Sequence, residues 1–158
     1  MSDAVQTLAD QMAAYPARLQ ALIGDASEAA LYYRPGPQEW SIVEVVGHLE
    51  DVDALFWGRA HQALTEDMPA FPVYDTNGPV RARDFQHQAW AGVWAIFTAR
   101  RTAFIEWLRS RTDADLDRAG THPMHGVMNI SRIPASIPRH DETHYQQIAN
   151  NLKSFAEQ

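Results

Sequence analysis

Seven histidines and no cysteine bound the chemistry open to this chain of 158 residues. Without thiols there are no disulfides, thiolate metal sites, iron–sulfur clusters or thiol nucleophiles, so any metal is held by nitrogen and oxygen. His140 and His144 are four positions apart. On a helix that spacing puts them about 40° apart on one face, where two imidazoles can converge on one ion. The spacing is that of a zincin, but Asp141 stands where such a motif has glutamate, one methylene longer. Two polar residues on a solvated face would show the same spacing. His48 supplies the second signal. It borders an apolar stripe of Val45, Val46, Leu49 and Val52, and metal sites in bundles are built from facing helices. A histidine beside such a stripe is otherwise a hydrogen-bonded core residue.

The other histidines read differently. His61 is 13 positions after His48, about 220° around a helix, and cannot share its site. His87 reads as exposed. His122 and His125 flank Pro123 in a loop and are candidates for substrate contact or proton transfer. Asp51 and Gln147, three positions after His48 and His144, are the candidates for orienting the rings, against a plain solvent-facing reading. Ser41 reads as a helix cap and not as a nucleophile. Asp141 or Glu142 could act as a base through water, and Asp51 or Glu142 could close a site as a fourth ligand. Arg34, Arg81 and Arg83 could meet an acidic substrate group but read first as surface charges. Trp57, Trp90, Trp94 and Trp107 read as core or dimer surface before pocket wall.

The elements that carry these residues follow from periodicity. Leu8, Met12, Tyr15, Leu19, Leu22 and Ile23 predict a helix over residues 3–23, with Pro16 a possible kink and Gly24 a stop. Tyr32 to Pro37 is a turn-rich linker. A capping box of Ser41 and Glu44, with Trp40 as staple, opens a second helix that runs to about Leu64. Thr65 to Ala82 reads as a loop. Asp84 is the expected cap of a third helix carrying Trp90, Val93, Trp94, Phe97, Arg101, Phe104, Ile105 and Leu108, ending near Arg111. Residues 121–126 form a turn, and Val127 to Ile130 could be extended. The last helix is predicted to start between Pro134 and Ile137, with Ser136 as N-cap and Pro138 in the first turn, where its missing N–H costs nothing. Four such helices and no convincing strand alternation give an all-α four-helix bundle.

Composition agrees with an ordinary folded chain, expected to be a single domain over residues 1–158: 46% hydrophobic and 21% charged. The net charge of -7 argues against nucleic acid and anionic membranes as partners. No apolar run reaches the ~20 residues of a membrane span, and Met1 to Asp10 lacks the features of a signal peptide. The expectation is a soluble cytoplasmic protein.

Two segments carry a family resemblance. Trp40-Ser41-Ile42-Val43-Glu44-Val45-Val46-Gly47-His48-Leu49, followed by Asp51, resembles the entry to the second helix of the DinB-like (YfiT-like) superfamily. His140-Asp141-Glu142-Thr143-His144-Tyr145-Gln146-Gln147-Ile148 is similar to its final-helix signature, and Tyr33-Arg34-Pro35 also fits. The resemblance implies an up-up-down-down four-helix bundle, often a homodimer, with a divalent metal on three histidines that map onto His48, His140 and His144. Activities in the family are mostly thiol-cofactor S-transferases and isomerases, while other members are labelled metal-dependent hydrolases. Pro134 and Pro138 depart from the family's unbroken helix. Three imidazoles suit zinc or nickel first, with iron or manganese next, and leave open positions for water or substrate. The expected function is therefore a metal-dependent enzyme acting on a small molecule, either a hydrolase or a transferase using a low-molecular-weight thiol. The alternative is a non-catalytic metal- or ligand-binding helical module.

Overall fold

Four amphipathic helices dominate the computed structural model, which describes residues 3–75 and 78–158, the side chain of Arg81 excepted. The reading of Arg81 as a substrate contact thus lies outside the described residues. Helix α1 (Asp3–Ile23) runs through Pro16 without a break and buries Met12, Tyr15 and Leu19. Gly24 ends it with φ +51, a left-handed conformation that glycine takes without a Cβ penalty, and its N–H donates to the Gln20 carbonyl at 2.9 Å. A short helix α2 (Glu28–Tyr32), capped by Ser27, leads into the linker.

Helix α3 (Ile42–Thr65) starts at the expected capping box. The Ser41 N–H donates to Glu44 Oε2 at 2.9 Å, and the Glu44 N–H donates to Ser41 Oγ at 3.4 Å. The following segment is not plain loop: it contains helix α4 (Gly78–Arg83) and a 3₁₀ turn, Phe85–His87. Asp84 does not cap the next long helix. It sits at φ 50, ψ 51 before that turn, and its carboxylate accepts from His87 Nδ1 at 2.8 Å. Helix α5 (Trp90–Arg109) begins six residues later, and the Tyr32 hydroxyl accepts from the Trp90 N–H at 2.9 Å in place of a local cap.

Beyond the capped helix α6 (Asp113–Asp117), the segment expected to be turn and extended chain forms a two-stranded antiparallel hairpin. Its strands are β1 (Ala119–His122) and β2 (Gly126–Asn129), with His122 opposite Gly126. Thr121 exchanges backbone hydrogen bonds with Pro69 and Phe71 (2.7 and 2.9 Å), tying the chain after α3 to the hairpin. Gly120 makes this approach possible, because a Cβ there would lie 2.4 Å from the Phe71 ring. Helix α7 (Ile137–Ala156) starts inside the predicted window, with Pro138 in its first turn. Ser136 is not the expected side-chain cap. A preceding 3₁₀ turn (Ile133–Ser136) delivers the chain already helical, and Ser136 makes no capping bond.

The long helices close a ring: α3 packs on α5, α5 on α1, α1 on α7, and α7 on α3. The core has two buried clusters, one around Leu19, Leu49, Phe97 and Ile148, the other around Met12, Phe104, Ile133 and Ile137. The all-α bundle read from the sequence is the architecture found. Among the described residues no helix is long and apolar enough to cross a membrane.

Candidate metal centre

Helix α3 contributes His48 and helix α7 contributes His140 and His144 to one cluster. Among the described residues these three form the group of side chains spaced to hold a metal, with one ligand atom from each lying within 4.8 Å of the others. His140 Nε2 lies 3.1 Å from His48 Nε2 and 3.1 Å from His144 Nε2. A single ring nitrogen carries either one proton or one in-plane lone pair, so hydrogen bonding cannot satisfy both contacts. Ligation can: two nitrogens ~2.1 Å from one ion stand about 3.0 Å apart at a right angle and about 3.4 Å apart at the tetrahedral angle. The donor set therefore fits a first-row divalent ion.

Electrostatics agree with neutral, ligating imidazoles. Burial lowers His48 to about 3 and His140 to about 4, with the neighbouring histidines adding to the effect. Burial also lowers His144, against an opposing bond to Gln147. His144 Nδ1–H donates to Gln147 Oε1 at 2.8 Å, which leaves the Nε2 lone pair facing the other rings. Trp40 covers the cluster, its ring centroid 4.9 Å from His48 and stacked 6.4 Å from His144.

Several acidic residues are committed elsewhere. Asp51 makes no hydrogen bond to His48: it accepts from Arg83 at 2.6 Å, and Arg83 also pairs with buried Glu50. Asp141 is not a free base. Arg101 donates to both its oxygens (2.7 and 3.0 Å) and through Nε to Asp53 (2.7 Å), all three side chains being buried. Glu142 is neither base nor fourth ligand, because it is exposed and accepts from Arg18 at 3.0 Å and from Gln146 at 2.9 Å. Among the described residues no carboxylate belongs to the histidine group. Arg34 forks onto Glu44, beneath the start of α3.

A cavity of about 330 Å³ opens beside the cluster, with His48 and His140 in its wall. Val52, Leu55 and Phe56 of α3 form its apolar lining with Val73, Pro123 and Met124, and Arg59, Tyr74 and His122 are its other polar lining. Of the two loop histidines, His122 reaches this cavity and His125 stacks on it at 4.6 Å. His61 lies apart, in a surface groove with Trp57 and Trp107. Sequence reasoning missed Trp40 as a wall of the cluster, and it missed Arg59 and Tyr74. Arg59 had a signal: 11 positions after His48, it sits about 20° from it on the same helix face.

The geometry has counterparts among known proteins. A protein of Halalkalibacterium halodurans carrying the name "Putative metal-dependent hydrolase BH0277" is 22% identical over 148 residues, which cover 94% of this chain and 86% of the relative. The solved structure of YfiT from Bacillus subtilis, described as a probable metal-dependent hydrolase with an unusual four-helix bundle topology, superposes with a TM-score of 0.84 at 20% identity. That match covers 99% of this chain and 90% of YfiT, and it shows that the two share a fold. The profile of the DinB superfamily matches residues 11–148, and this chain belongs to that superfamily.

Proposed function

We propose that this protein is a divalent-metal-dependent enzyme that acts on a small molecule in the cavity beside His48 and His140. The observation that carries the reading is the convergence of three Nε2 atoms, on buried His48 and His144 and half-buried His140, next to that cavity. A bound zinc or nickel ion, or less readily iron or manganese, would supply a Lewis acid that polarises a carbonyl or activates water. His48, His140 and His144 would hold it. Gln147 keeps the proton on His144 Nδ1. Trp40 shuts water from one side of the rings. Arg101 ties Asp141, between the two α7 histidines in sequence, to α3 and α5.

Among the described residues the cavity wall contains no serine, threonine, aspartate or glutamate, which supports an attacking atom that comes with the reactants. Water gives hydrolysis, the reading that the names of the two relatives support. A low-molecular-weight thiol gives transfer, the second reading, and the same missing nucleophile supports it. The family resemblance adds a homodimer, measurable by sedimentation. The test is elemental analysis of protein purified without a metal-affinity step, followed by ester and amide hydrolysis and thiol transfer to electrophiles, each with and without the metal found. Stoichiometric metal and metal-dependent turnover are expected. Stoichiometric metal without turnover in any assay would reduce the protein to a binding module, and absence of metal would remove the reading altogether.

A further inference from the structure

Arg59 is 5% exposed and lines the cavity. One of its Nη atoms donates to the Pro72 carbonyl at 2.9 Å, and its Nε has no partner. Among the described residues no carboxylate pairs with it. The arginines at 18, 34, 83, 100, 101 and 109 all do have such a partner. An unpaired buried cation is costly in a folded protein and is normally neutralised by a counter-charge. Tyr74 lies in the same wall, and its hydroxyl is also buried without a partner. His122 completes the group. Its Nδ1 accepts from the Met124 and His125 N–H groups (3.1 and 3.3 Å), so its proton is on Nε2. Two buried polar atoms without a partner, Arg59 Nε and the Tyr74 hydroxyl, thus share a cavity with the His122 Nε2–H, and apart from His48 and His140 the rest of its wall, Val52, Leu55 and Phe56 included, is apolar. On α3 the 11 residues from His48 to Arg59 span about 16 Å of helix axis. Helical side chains lean towards the N-terminus, so the guanidinium leans back towards the histidines.

We infer that the cavity takes a small-molecule carboxylate, its acid group held by Arg59 and Tyr74 and its apolar body along α3, with the far end at the three histidines. This assignment rests on the reading of the cavity as the substrate site. It names the class of substrate: a monoacid with an apolar body, small enough for about 330 Å³, near the lower end of ligand pockets. A single cation suits one carboxylate better than a more highly charged phosphate, and the planar fork of arginine matches a carboxylate's two oxygens.

Calorimetric titration with 4-phenylbutyrate and with its uncharged amide tests this, on protein loaded with zinc and on the same protein after chelation. Zinc content is measured on each sample. The acid should bind at least about tenfold tighter than the amide in both states, as expected when a buried charge gains its partner. Arg59→Met should bring the ratio to within about twofold, and Tyr74→Phe should lower it several-fold. Arg59→Lys, which keeps the charge and loses the fork, should retain part of the preference and serves where the methionine variant fails to fold. Equal binding of acid and amide, no binding of either, or a preference that survives Arg59→Met would each overturn the assignment. So would a preference seen only with zinc, because the carboxylate would then sit at the histidines. Acid preference in protein that takes no zinc would sink the metal reading alone. Stoichiometric zinc with no acid preference would sink this inference alone.

Discussion

Replacing Arg101 by methionine keeps the bulk of the side chain and removes the cation shared by Asp53 and Asp141. The guanidinium makes three charge-assisted bonds of 2.7 to 3.0 Å, with all partners buried. Breaking such a pair from one side leaves uncompensated buried charge and costs about 3–5 kcal/mol. For a chain of this length each kcal/mol moves Tm by about 2–4 °C, so a fall of roughly 6–20 °C is expected. The loss should also depend on pH with a definite sign. Burial already pushes the Asp53 carboxyl up to about 6 while Arg101 pulls it down. Without Arg101 it rises further. A carboxyl whose folded pKa exceeds its unfolded value of ~3.9 holds more protons when folded, so stability grows as pH falls between the two values. The difference between wild type and variant should therefore be largest near pH 8 and shrink towards pH 5. Urea denaturation at several pH values measures it. Zinc titration at 10 °C, far below either melting point, should also show weakened affinity, because Asp141 anchors the turn that carries His140 and His144. A loss below about 1 kcal/mol, as for an exposed pair, or a loss that does not change with pH would refute the reasoning.

Alanine at His48, His140 or His144 should abolish stoichiometric metal in elemental analysis, whereas His61→Ala should leave it intact. Chelation should leave the helical circular dichroism signal in place, since two buried apolar clusters already hold the long helices together. The metal-free protein should lose stability on acidification. Its three site histidines have folded pKa values below the ordinary ~6.5, so the stabilisation is present above that value and is lost as pH falls through the window towards about 4, at up to about 1.4 kcal/mol per pH unit for each ring. Acid titration followed by fluorescence would show this slope. Gln147→Ala should weaken zinc binding by about 10–100-fold with little change in Tm, read by competition with a chromogenic chelator.

What the sequence revealed divides along a physical line. Local signals were legible. The 3.6-residue period, the Ser41–Glu44 box and the Pro138 constraint located α1, α3 and α7 nearly to the residue. The i, i+4 spacing of His140 and His144 brought them into line with His48 because both helices were already placed. Signals between distant segments were not legible. Asp51 lies three residues from His48, yet Arg83 takes it from 32 positions away, and no period announces such a pairing. The apolar spacing placed Arg101 on a buried face, but its two carboxylates come from α3 and α7. The start of α5 failed for the same reason: a hydroxyl 58 residues earlier satisfies its first N–H, so Asp84 was free to turn left-handed. The hairpin is four residues per strand, too short for alternation to register, and is held by Pro69 and Phe71.

Buried polar groups in this bundle fall into two kinds, and the difference locates function. Arg101, Asp53 and Asp141 largely satisfy one another at the junction of three helices, and such a closed network serves packing. The cavity wall is different. Among the described residues eight buried side-chain polar atoms lack a partner, and four of them, on His48, Arg59, Tyr74 and His140, belong to residues of that one wall. Leaving a single such atom unpaired costs about 1–3 kcal/mol, so four at one place are a sizeable burden on folding. An ion at the Nε2 atoms would leave the Nδ1 atoms of His48 and His140 as they are, so what a ligand relieves is the pair on Arg59 and Tyr74, and it must bring an acceptor of matching charge. The histidines ask for a cation and Arg59 asks for an anion, and the apolar helix face between them separates the two demands along a single ligand-sized space.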